Sequence, residues 1–294
     1  MITKNNPKHN TVYRRKRTDK RTMADVAFDA QKIVFAPISF QAARALRDLG
    51  ILEALNNAPA DADTLAKKTH LSRYAVQVLL DIGTDLGLVS RQAPLYNITP
   101  AGWFILCDPM TRVNMDFVND VCYQGMFDLQ NSLKKGKPTG LKVFGRWKTI
   151  YEGLSRLPAP NRKSWFAFDH FYSDIAFPEI LPIVFASSPK MIFDIGGNTG
   201  KWANKCLSYD KNVRVTLVDL PGQLAVAKKN LKKYGKRAVF AAANLLDKKS
   251  VIPQGADAFL MSQFLDCFSP QEIVAILKKV KKAASPHSEI YILE

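Results

Sequence analysis

The sequence predicts an α/β protein: a doubly wound, Rossmann-like parallel sheet at the C-terminal end, preceded by an all-α part with a winged-helix order. Short apolar strands alternate with helical segments from Met191 onward, which is typical of βαβ units. Short helical segments followed by two brief extended pieces occupy residues 23–106. The 294 residues are 47% hydrophobic and 23% charged, which is the balance of a folded protein and excludes disorder throughout.

Composition divides the chain into four regions. Lys and Arg exceed Asp and Glu by 16 over the whole chain, and residues 1–23 carry eight of the basic side chains against one acid. Such a segment has almost nothing to bury and is expected to be disordered. A second hypothesis is that translation starts at Met23. The predicted regions are a disordered basic tail (1–22), a winged-helix dimerisation domain (23–106), a helical linker with the substrate pocket (107–187) and a nucleotide-binding Rossmann-like domain (188–294).

Several classes of protein are excluded by what the sequence lacks. No apolar run reaches the roughly 18 residues of a membrane-spanning helix, and no apolar stretch of a signal peptide follows the basic tail. The four cysteines, Cys107, Cys122, Cys206 and Cys267, form no metal-binding spacing and are too sparse for a disulfide scaffold. We therefore expect a cytoplasmic protein without a metal site or a membrane partner.

Three helices are predicted in the first folded region. The first covers Phe40 to Leu49 and stops at Gly50. The second follows Asp63, whose side chain is expected to cap the amides of the first turn. The third follows Ser72, and its apolar residues at steps of four, three and four predict one buried stripe. The stripe consists of Ala75, Leu79, Ile82 and Leu86.

Two extended pieces, Leu88–Ser90 and Leu95–Ile98, surround a turn at Ala93–Pro94 and complete the winged-helix order. A winged helix that reads DNA presents cations or amides from its second helix. The side chains off the buried stripe offer one cation, Arg73, against two acids. DNA would be repelled by that face, so a packing or dimerisation module is favoured over a DNA reader.

The segment Trp165–Phe177 is the most aromatic in the chain. Such a stripe usually belongs to a core. If it faces a cleft instead, its rings would stack on a flat ligand, with Asp169 and His170 as polar handles. The candidate substrate-binding residues are Phe166, Asp169 and Phe171.

The most informative motif begins with the apolar strand Met191–Ile195, which runs into Gly196-Gly-Asn-Thr-Gly200 and the helix Lys201–Leu207. A strand, a glycine turn and a helix N-terminus direct unpaired amides at a ligand beyond the strand. A second strand, Val213–Asp219, ends in a carboxylate 19 residues after Gly200. In a doubly wound sheet this acid lies beside the glycine turn, where it can accept the hydroxyls of a ribose.

Three further strands are predicted to complete the sheet. They are Ala238–Ala243, a strand opening at Gly255–Leu260 and Glu289–Glu294. A capping box with proline at the first helical position, Ser269 to Glu272, begins a helix before the last of them.

The run Asp194-x-Gly196-x-Asn198-x-Gly200 resembles the D-x-G-x-G-x-G motif of class I methyltransferases that use S-adenosyl-L-methionine, with asparagine at the middle glycine. Asparagine tolerates positive φ, so the turn is expected to survive. NAD proteins do not need the acid, and no Gly-Lys-Ser/Thr of a phosphate loop follows. Residues 24–294 together resemble the small-molecule O-methyltransferase family of caffeate-type and antibiotic-tailoring enzymes, in which the winged-helix part forms a homodimer.

The resemblance implies roles for individual residues. Asp219 would hold the ribose, and Asn244 with Leu245 would flank the adenine, Asn244 replacing the usual Asp of the family. The usual lysine of the fourth strand falls at Ser262. The implied cofactor-binding residues are Asp194, Gly196, Gly197, Gly200, Asp219, Asn244, Leu245 and Ser262.

The implied catalytic position also departs from the family, whose histidine base falls at Asp266. Moving a proton from a phenol to an unperturbed aspartate is uphill by about 6 pH units, roughly 8 kcal/mol. Asp266 therefore acts as base only if burial raises its pKa, and His170 is the alternative. The third possibility is a substrate that needs no base, since proximity carries much of a methyl transfer.

The chain stops at the fifth strand, where the family continues with a helix and a hairpin, so a truncated gene product or a fragment is expected. The function implied is S-adenosyl-L-methionine-dependent methylation of a hydroxyl, aromatic by preference, on a small molecule. The alternative is an inactive methyltransferase-like protein with a binding or DNA-regulatory role.

Overall fold

The computed structural model describes residues 21–294, which form two compact units, one up to Asp108 and the other from Pro109 to Glu294. Residues 1–20, and with them most of the predicted basic tail, lie outside the described residues. Each unit has its own buried core and is described by itself.

The first unit is helical with a small two-stranded wing. Strands β1 and β2 pair antiparallel, with Val89 opposite Ile98. The predicted winged-helix order of helices followed by a hairpin is present. The elements are α1 (Met23–Asp48), α2 (Ile51–Asn57), α3 (Ala62–Thr69), α4 (Arg73–Asp85), β1 (Val89–Gln92), β2 (Leu95–Ile98) and α5 (Pro100–Cys107).

Two predicted helix starts in this unit are wrong. Helix α1 begins at Met23 and not at Phe40, because Thr22 and Asp25 form a capping box in which the Thr22 hydroxyl accepts the amide of Asp25 at 3.1 Å. Helix α3 is capped by Asp61, whose carboxylate accepts the amide of Thr64 at 2.8 Å. Asp63 lies inside the helix.

The buried stripe of α4 is also displaced by one residue from the prediction. Val76, Leu80 and Gly83 are buried, whereas the predicted stripe of Ala75, Leu79, Ile82 and Leu86 is only half-buried. The reason is Gly83, where an added Cβ would lie 3.0 Å from a methyl of Leu46. A glycine does not count as apolar in a hydrophobic pattern, yet here it marks the closest contact between two helices.

The second unit begins with helices and ends with the sheet. A π-helical turn, Val118–Cys122, joins α6 to α7, and short 3-10 turns flank α9. The longest helix, α10, contains the aromatic segment. The helices before the sheet are α6 (Pro109–Phe117), α7 (Tyr123–Met126), α8 (Leu129–Lys135), α9 (Ile150–Gly153) and α10 (Ala159–Val184).

The sheet is five-stranded, parallel throughout and ordered β5-β4-β3-β6-β7, which confirms the predicted fold class. The fourth predicted strand begins later than expected, at Ala258, because Gly255 has a φ of +98° that no strand residue adopts. The strands are β3 (Met191–Ile195), β4 (Arg214–Asp219), β5 (Ala238–Ala242), β6 (Ala258–Ser262) and β7 (Glu289–Leu293). The intervening helices are α11 (Lys201–Tyr209), α12 (Pro221–Asn230) and α13 (Pro270–Ala283).

The sheet is covered on both faces by apolar side chains. One cluster joins the C-terminal half of α10 to α11, α12 and the sheet, and includes Phe177, Leu181, Val184 and Trp202. The other joins α13 to the opposite face through Ile276 and Val280. Strand order reverses at β3, so the carboxyl ends of β3, β4 and β6 converge on one edge, where open α/β sheets bind ligands.

Within residues 21–294, every helix is too short or too polar to traverse a lipid bilayer. In the same range, no three His, Cys, Asp or Glu side chains are grouped closely enough to hold a metal ion.

Candidate functional site

The glycine turn after β3 alternates in backbone conformation. Gly196, Asn198 and Gly200 have φ values of +71°, +48° and +83°, and the turn leads into α11 through Gly200 at the N-cap. A Cβ at Gly196 would lie 2.2 Å from the Phe264 ring, and one at Gly197 would lie 2.6 Å from the Asp194 carboxylate. Both positions therefore require glycine because other groups press on the backbone, whereas Asn198 adopts the left-handed conformation that asparagine tolerates.

The acid at the end of β4 lies directly beside this turn. The backbone N–H of Asn198 donates to one oxygen of Asp219 at 2.8 Å. The other oxygen accepts the N–H of Leu220 at 2.6 Å and the Tyr151 hydroxyl at 3.2 Å. Burial raises the pKa of Asp219 to about 6, against the opposing effect of these hydrogen bonds.

A cavity of about 260 Å³ opens beyond this edge of the sheet. The lining includes five of the predicted cofactor residues: Asp194, Gly196, Gly197, Asp219 and Ser262. Three buried polar atoms of its lining residues, Oδ2 of Asp194, Nε1 of Trp202 and Oγ of Ser262, have no hydrogen-bond partner within residues 21–294. Burial, and then the charge of Asp219, raise the pKa of Asp194 to about 7.

The charges around the cavity are mostly negative. Five carboxyl groups line it, against one cation, Lys201, which pairs with Asp174 at 2.8 Å. The five acids are Asp169, Asp194, Asp219, Asp266 and Glu294. A buried carboxylate oxygen without a partner, such as Oδ2 of Asp194, is unfavourable alone and favours a ligand that carries positive charge and hydrogen-bond donors.

The wall opposite the sheet is the N-terminal half of α10. Trp165, Phe168 and Asp169 line the cavity, as do Ser173 and Phe177 further along the helix, so the aromatic segment faces the cavity as well as the core. Phe117 from α6 stacks on Phe168 with ring centroids 4.0 Å apart and 16° between the planes.

Two of the predicted substrate residues lie away from the cavity. Phe166 stacks on His170 with centroids 5.9 Å apart, and Phe171 makes an edge contact with Tyr172. Neither ring contributes to the lining. Phe171 lies on the opposite side of α10 from Asp169, two residues before it.

The predicted catalytic residues are both at the cavity, but with different environments from those expected. Asp266 is exposed, so the burial that a base at this position requires is absent. His170 accepts or donates a hydrogen bond with the Thr199 hydroxyl at 3.1 Å. Burial, and then the charge of Lys201, lower the pKa of His170 to about 4.

The predicted adenine-flanking residues do not line the cavity. Leu245 is buried in the apolar cluster beneath α13, since it fills the core side of the loop after β5. The side-chain oxygen of Asn244 accepts the backbone N–H of Leu246 at 3.0 Å and so holds the same loop in a turn. Gly200 is buried and acts through its backbone conformation.

Sequence reasoning missed a group of aromatic residues that closes the glycine turn. Tyr151, Phe264 and Phe268 make mutual edge contacts with ring centroids 5.0–5.5 Å apart. Burial raises the pKa of Tyr151 far above its usual range, so its hydroxyl stays a hydrogen-bond donor to Asp219. Tyr151 lies between short irregular turns, where no periodic pattern identifies an inward-facing side chain.

Comparison with known proteins gives two domain matches. A family described as the Dimerisation2-like domain matches residues 28–93, and one described as the O-methyltransferase domain matches residues 127–294. Similar curated proteins include L-tyrosine C(3)-methyltransferase of Streptomyces lavendulae, 22% identical over 88% of this chain and 72% of its own length. The 3-amino-4-hydroxybenzoate 4-O-methyltransferase of Streptomyces cremeus is 24% identical over 83% of this chain and 67% of its own length.

Solved structures share the fold. The S-adenosylmethionine-dependent methyltransferase SibL in its apo form superposes with a TM-score of 0.65 at 26% identity, covering 90% of this chain and 79% of its own. The mitomycin 7-O-methyltransferase MmcR gives a TM-score of 0.72 at 19% identity, over 92% of this chain and 80% of its own.

Proposed function

We propose that this chain, which belongs to the O-methyltransferase family, transfers the methyl group of S-adenosyl-L-methionine to a hydroxyl on a small, flat aromatic molecule. The observation that carries the proposal is the hydrogen bond from the Asn198 N–H to Asp219. It brings the glycine turn and the acid of the second strand together at the mouth of an aromatic cavity. Strand, turn and acid in this relation form a nucleoside-binding edge.

The residues at this edge fit the cofactor. Its sulfonium and ammonium groups supply the positive charge and donors that the unpartnered Oδ2 of Asp194 and the surrounding acids favour. Asp219 uses three of its roughly four acceptor positions, which leaves one for a ribose hydroxyl. Gly196 and Gly197 allow the close backbone approach that the methionine part requires. When bound, the cofactor supplies a methyl group already activated by the positive charge on sulfur.

The protein's own contribution is placement and exclusion of water. The rings of Tyr151, Phe264 and Phe268 close one side of the site, and Trp165 and Phe168 close the other. Holding two reactants in line removes much of the entropic barrier to a bimolecular transfer, worth about 7–11 kcal/mol in favourable cases.

The acceptor class follows from the wall of α10. Phe117 and Phe168 present stacked faces, and Trp165 meets Phe117 edge-on at 5.6 Å. A planar ring packs against such faces more favourably than a saturated molecule of the same size. The excess of acids at the cavity disfavours acceptors that carry their own carboxylate.

The helical unit supports assembly as a homodimer. Helix α1 exposes large apolar side chains that include Phe28, Ile33, Phe35 and Ile38, between 52% and 77% exposed. Several large apolar side chains exposed on one helix are typical of an interface between protein chains, and the Dimerisation2-like match covers this helix from residue 28 onward. The four free cysteines support a reducing cytoplasm as the compartment.

Calorimetric titration with S-adenosyl-L-methionine, followed by a methyl-transfer assay on a panel of phenols, tests the function. We expect binding and turnover, with Asp219→Asn weakening cofactor affinity by about tenfold or more because it loses a charged acceptor. The matched control is Glu179→Gln, an exposed acid on α10 outside the cavity, which should bind as the wild type does.

Two outcomes would contradict the proposal. Absence of cofactor binding by a folded protein would refute the nucleoside-binding edge. Binding without turnover on any phenol would leave the edge intact but refute the transfer to an aromatic hydroxyl, and would favour a binding protein.

A further inference from the structure

We propose that Asp169 is the catalytic base that removes the proton from the acceptor hydroxyl, an inference that rests on the proposed function. Asp169 lines the cavity from α10, beside Trp165 and Phe168, the aromatic residues that we assign to the acceptor. Its carboxylate also reaches the glycine turn and the segment after β6. It is therefore placed between the acceptor wall and the edge that holds the cofactor.

Two amide side chains hold this carboxylate in position. The Asn198 amide donates to Asp169 Oδ2 at 3.2 Å. In the orientation that its hydrogen-bond partners require, the Gln263 amide donates to Asp169 Oδ1 at 2.7 Å and to the backbone carbonyl of Asp169 at 2.9 Å. The two donors occupy two of the roughly four acceptor positions of a carboxylate, which leaves positions for a proton from the acceptor.

Both donors have a left-handed backbone conformation. Asn198 has a φ of +48° and Gln263 a φ of +45°, and they are two of the four non-glycine residues with positive φ within residues 21–294. Asparagine tolerates this conformation, whereas it is unfavourable for glutamine, and unfavourable backbone conformations tend to concentrate where function requires them. Here both bring an amide to the same carboxylate.

The surroundings give Asp169 the proton affinity of a base. Burial raises the pKa of Asp169 to about 7, opposed by the Asn198 hydrogen bond and assisted by the charges of Asp266 and Asp174. The other titratable groups near it are His170 on the same helix and Cys267 after β6. General bases work best when their pKa lies near the working pH.

Two other residues of the cavity were candidates for the base. The pKa of His170 is lowered to about 4, so this imidazole binds a proton less readily than Asp169 does. Asp266 is exposed to solvent. Asp169 was expected from the sequence to be a polar handle for the substrate, and its burial between two amides is what assigns it this further role.

In the proposed step the acceptor hydroxyl loses its proton and gains the methyl group. The O–H bond of the acceptor breaks and its proton moves to the Asp169 carboxylate. The acceptor oxygen forms a bond to the methyl carbon as the methyl–sulfur bond breaks, and the bonding electron pair stays on sulfur, giving a neutral thioether. The Asp169 carboxyl group then releases its proton to solvent, and the enzyme is restored.

The test compares Asp169→Asn with wild type on phenols and on their para-nitro analogues, whose hydroxyls ionise near neutral pH without help. For the plain phenols at pH 7 we expect kcat/KM to fall by about 100-fold or more. For the nitro analogues we expect a fall of less than about fivefold, since no base is needed. Glu179→Gln serves as the matched control on the same helix, and cofactor binding by calorimetry verifies that each variant is folded.

The pH profile gives a second, independent readout in the wild type. With plain phenols, kcat/KM should rise with pH to an inflection at or below about pH 7, because the bound cofactor's positive charge favours the carboxylate. Asp169→Asn should lose this inflection and rise steadily with phenolate concentration.

Several results would overturn the inference. Equal losses on both phenol series would mean that Asp169 is structural, and an unchanged rate would mean that it takes no part. If Asp169→Asn does not fold, a wild-type profile without the inflection overturns the assignment by itself. Absence of wild-type turnover on every phenol would instead overturn the proposed function, which separates the two failures.

Discussion

Replacing Gly196 by alanine tests the closed arrangement of the glycine turn. Gly196 has a φ of +71°, and an added Cβ would lie 2.2–2.8 Å from three atoms of the Phe264 ring. The ring cannot easily retreat, because it is held by edge contacts with Tyr151 and Phe268. Two unfavourable terms therefore act at one position: backbone conformation and overpacking.

Each of the two terms contributes its own free-energy cost. An L-residue in the left-handed region costs about 1–2 kcal/mol, and overpacking a well-filled site costs about 1–3 kcal/mol. Gly196→Ala should thus lower the free energy of unfolding by about 2–5 kcal/mol. Gly136 has a φ of +58° and nothing within 4 Å of an added Cβ, so Gly136→Ala should show the first term alone, about 1–2 kcal/mol.

Scanning calorimetry measures both variants. For a unit of this size, about 2–4 °C in Tm corresponds to 1 kcal/mol, so the expected losses are about 4–20 °C for Gly196→Ala and about 2–8 °C for Gly136→Ala. Adding Phe264→Leu to Gly196→Ala should make the double variant less destabilised than the sum of the single changes. Equal Tm losses at the two glycines, or strict additivity with Phe264→Leu, would refute the idea that the ring presses on the turn.

Three further predictions concern other parts of the molecule. Leu80→Ala should lower the free energy of unfolding by about 2–5 kcal/mol and Leu79→Ala by less than half as much, since only Leu80 is fully buried; equal losses in urea titrations would contradict the observed face of α4. Burial raises the pKa of Asp194 to about 7 from its ordinary value of 3.8. Between these two pH values the native state keeps a proton that the unfolded state has lost, so the free energy of unfolding falls as pH rises from about 4 to 7. Asp194→Asn should therefore leave Tm nearly unchanged at pH 4 and stabilise the protein at pH 8 by up to about 4 kcal/mol, and a Tm difference that does not grow with pH would argue against the raised pKa. Phe35→Asp should convert a dimer into a monomer, as measured by light scattering. The control Phe127→Asp, at an 86% exposed position outside the first unit, should leave the dimer intact. A dimer that survives Phe35→Asp would place the interface elsewhere.

The sheet was the most predictable part of the molecule. Buried parallel strands are continuous apolar runs, so β3 and β4 could be located from Met191–Ile195 and from the residues before Asp219. The order of strand, glycine turn and helix then placed the ligand edge, because parallel strands end on a common side. These signals come from residues that are neighbours in the sequence, so they do not depend on how distant parts of the chain pack.

Helix phase and long-range pairs could not be predicted in the same way. The Tyr151 hydroxyl reaches Asp219 across 68 residues of sequence, and Asn198 reaches Asp169 across 29. Neither pair belongs to a repeating pattern, since each depends on how α9 and α10 pack on the sheet. The different environments of two acids were equally hidden: Asp266 and Asp169 are the same residue type, and only packing leaves Asp266 exposed and Asp169 half-buried between two amides.

Helix α10 divides its length between two tasks. Its C-terminal half, with Leu181 and Val184, is anchored in the core against the sheet, while its N-terminal half presents Trp165 and Phe168 to the cavity. Changes at Trp165 or Phe168 that reshape the pocket are thus separated by several turns from changes at Leu181 or Val184 that would loosen the fold. Substitutions in the N-terminal half of this helix, in evolution or in a laboratory library, can therefore change which acceptors fit the cavity. The C-terminal half keeps its contacts with the sheet meanwhile.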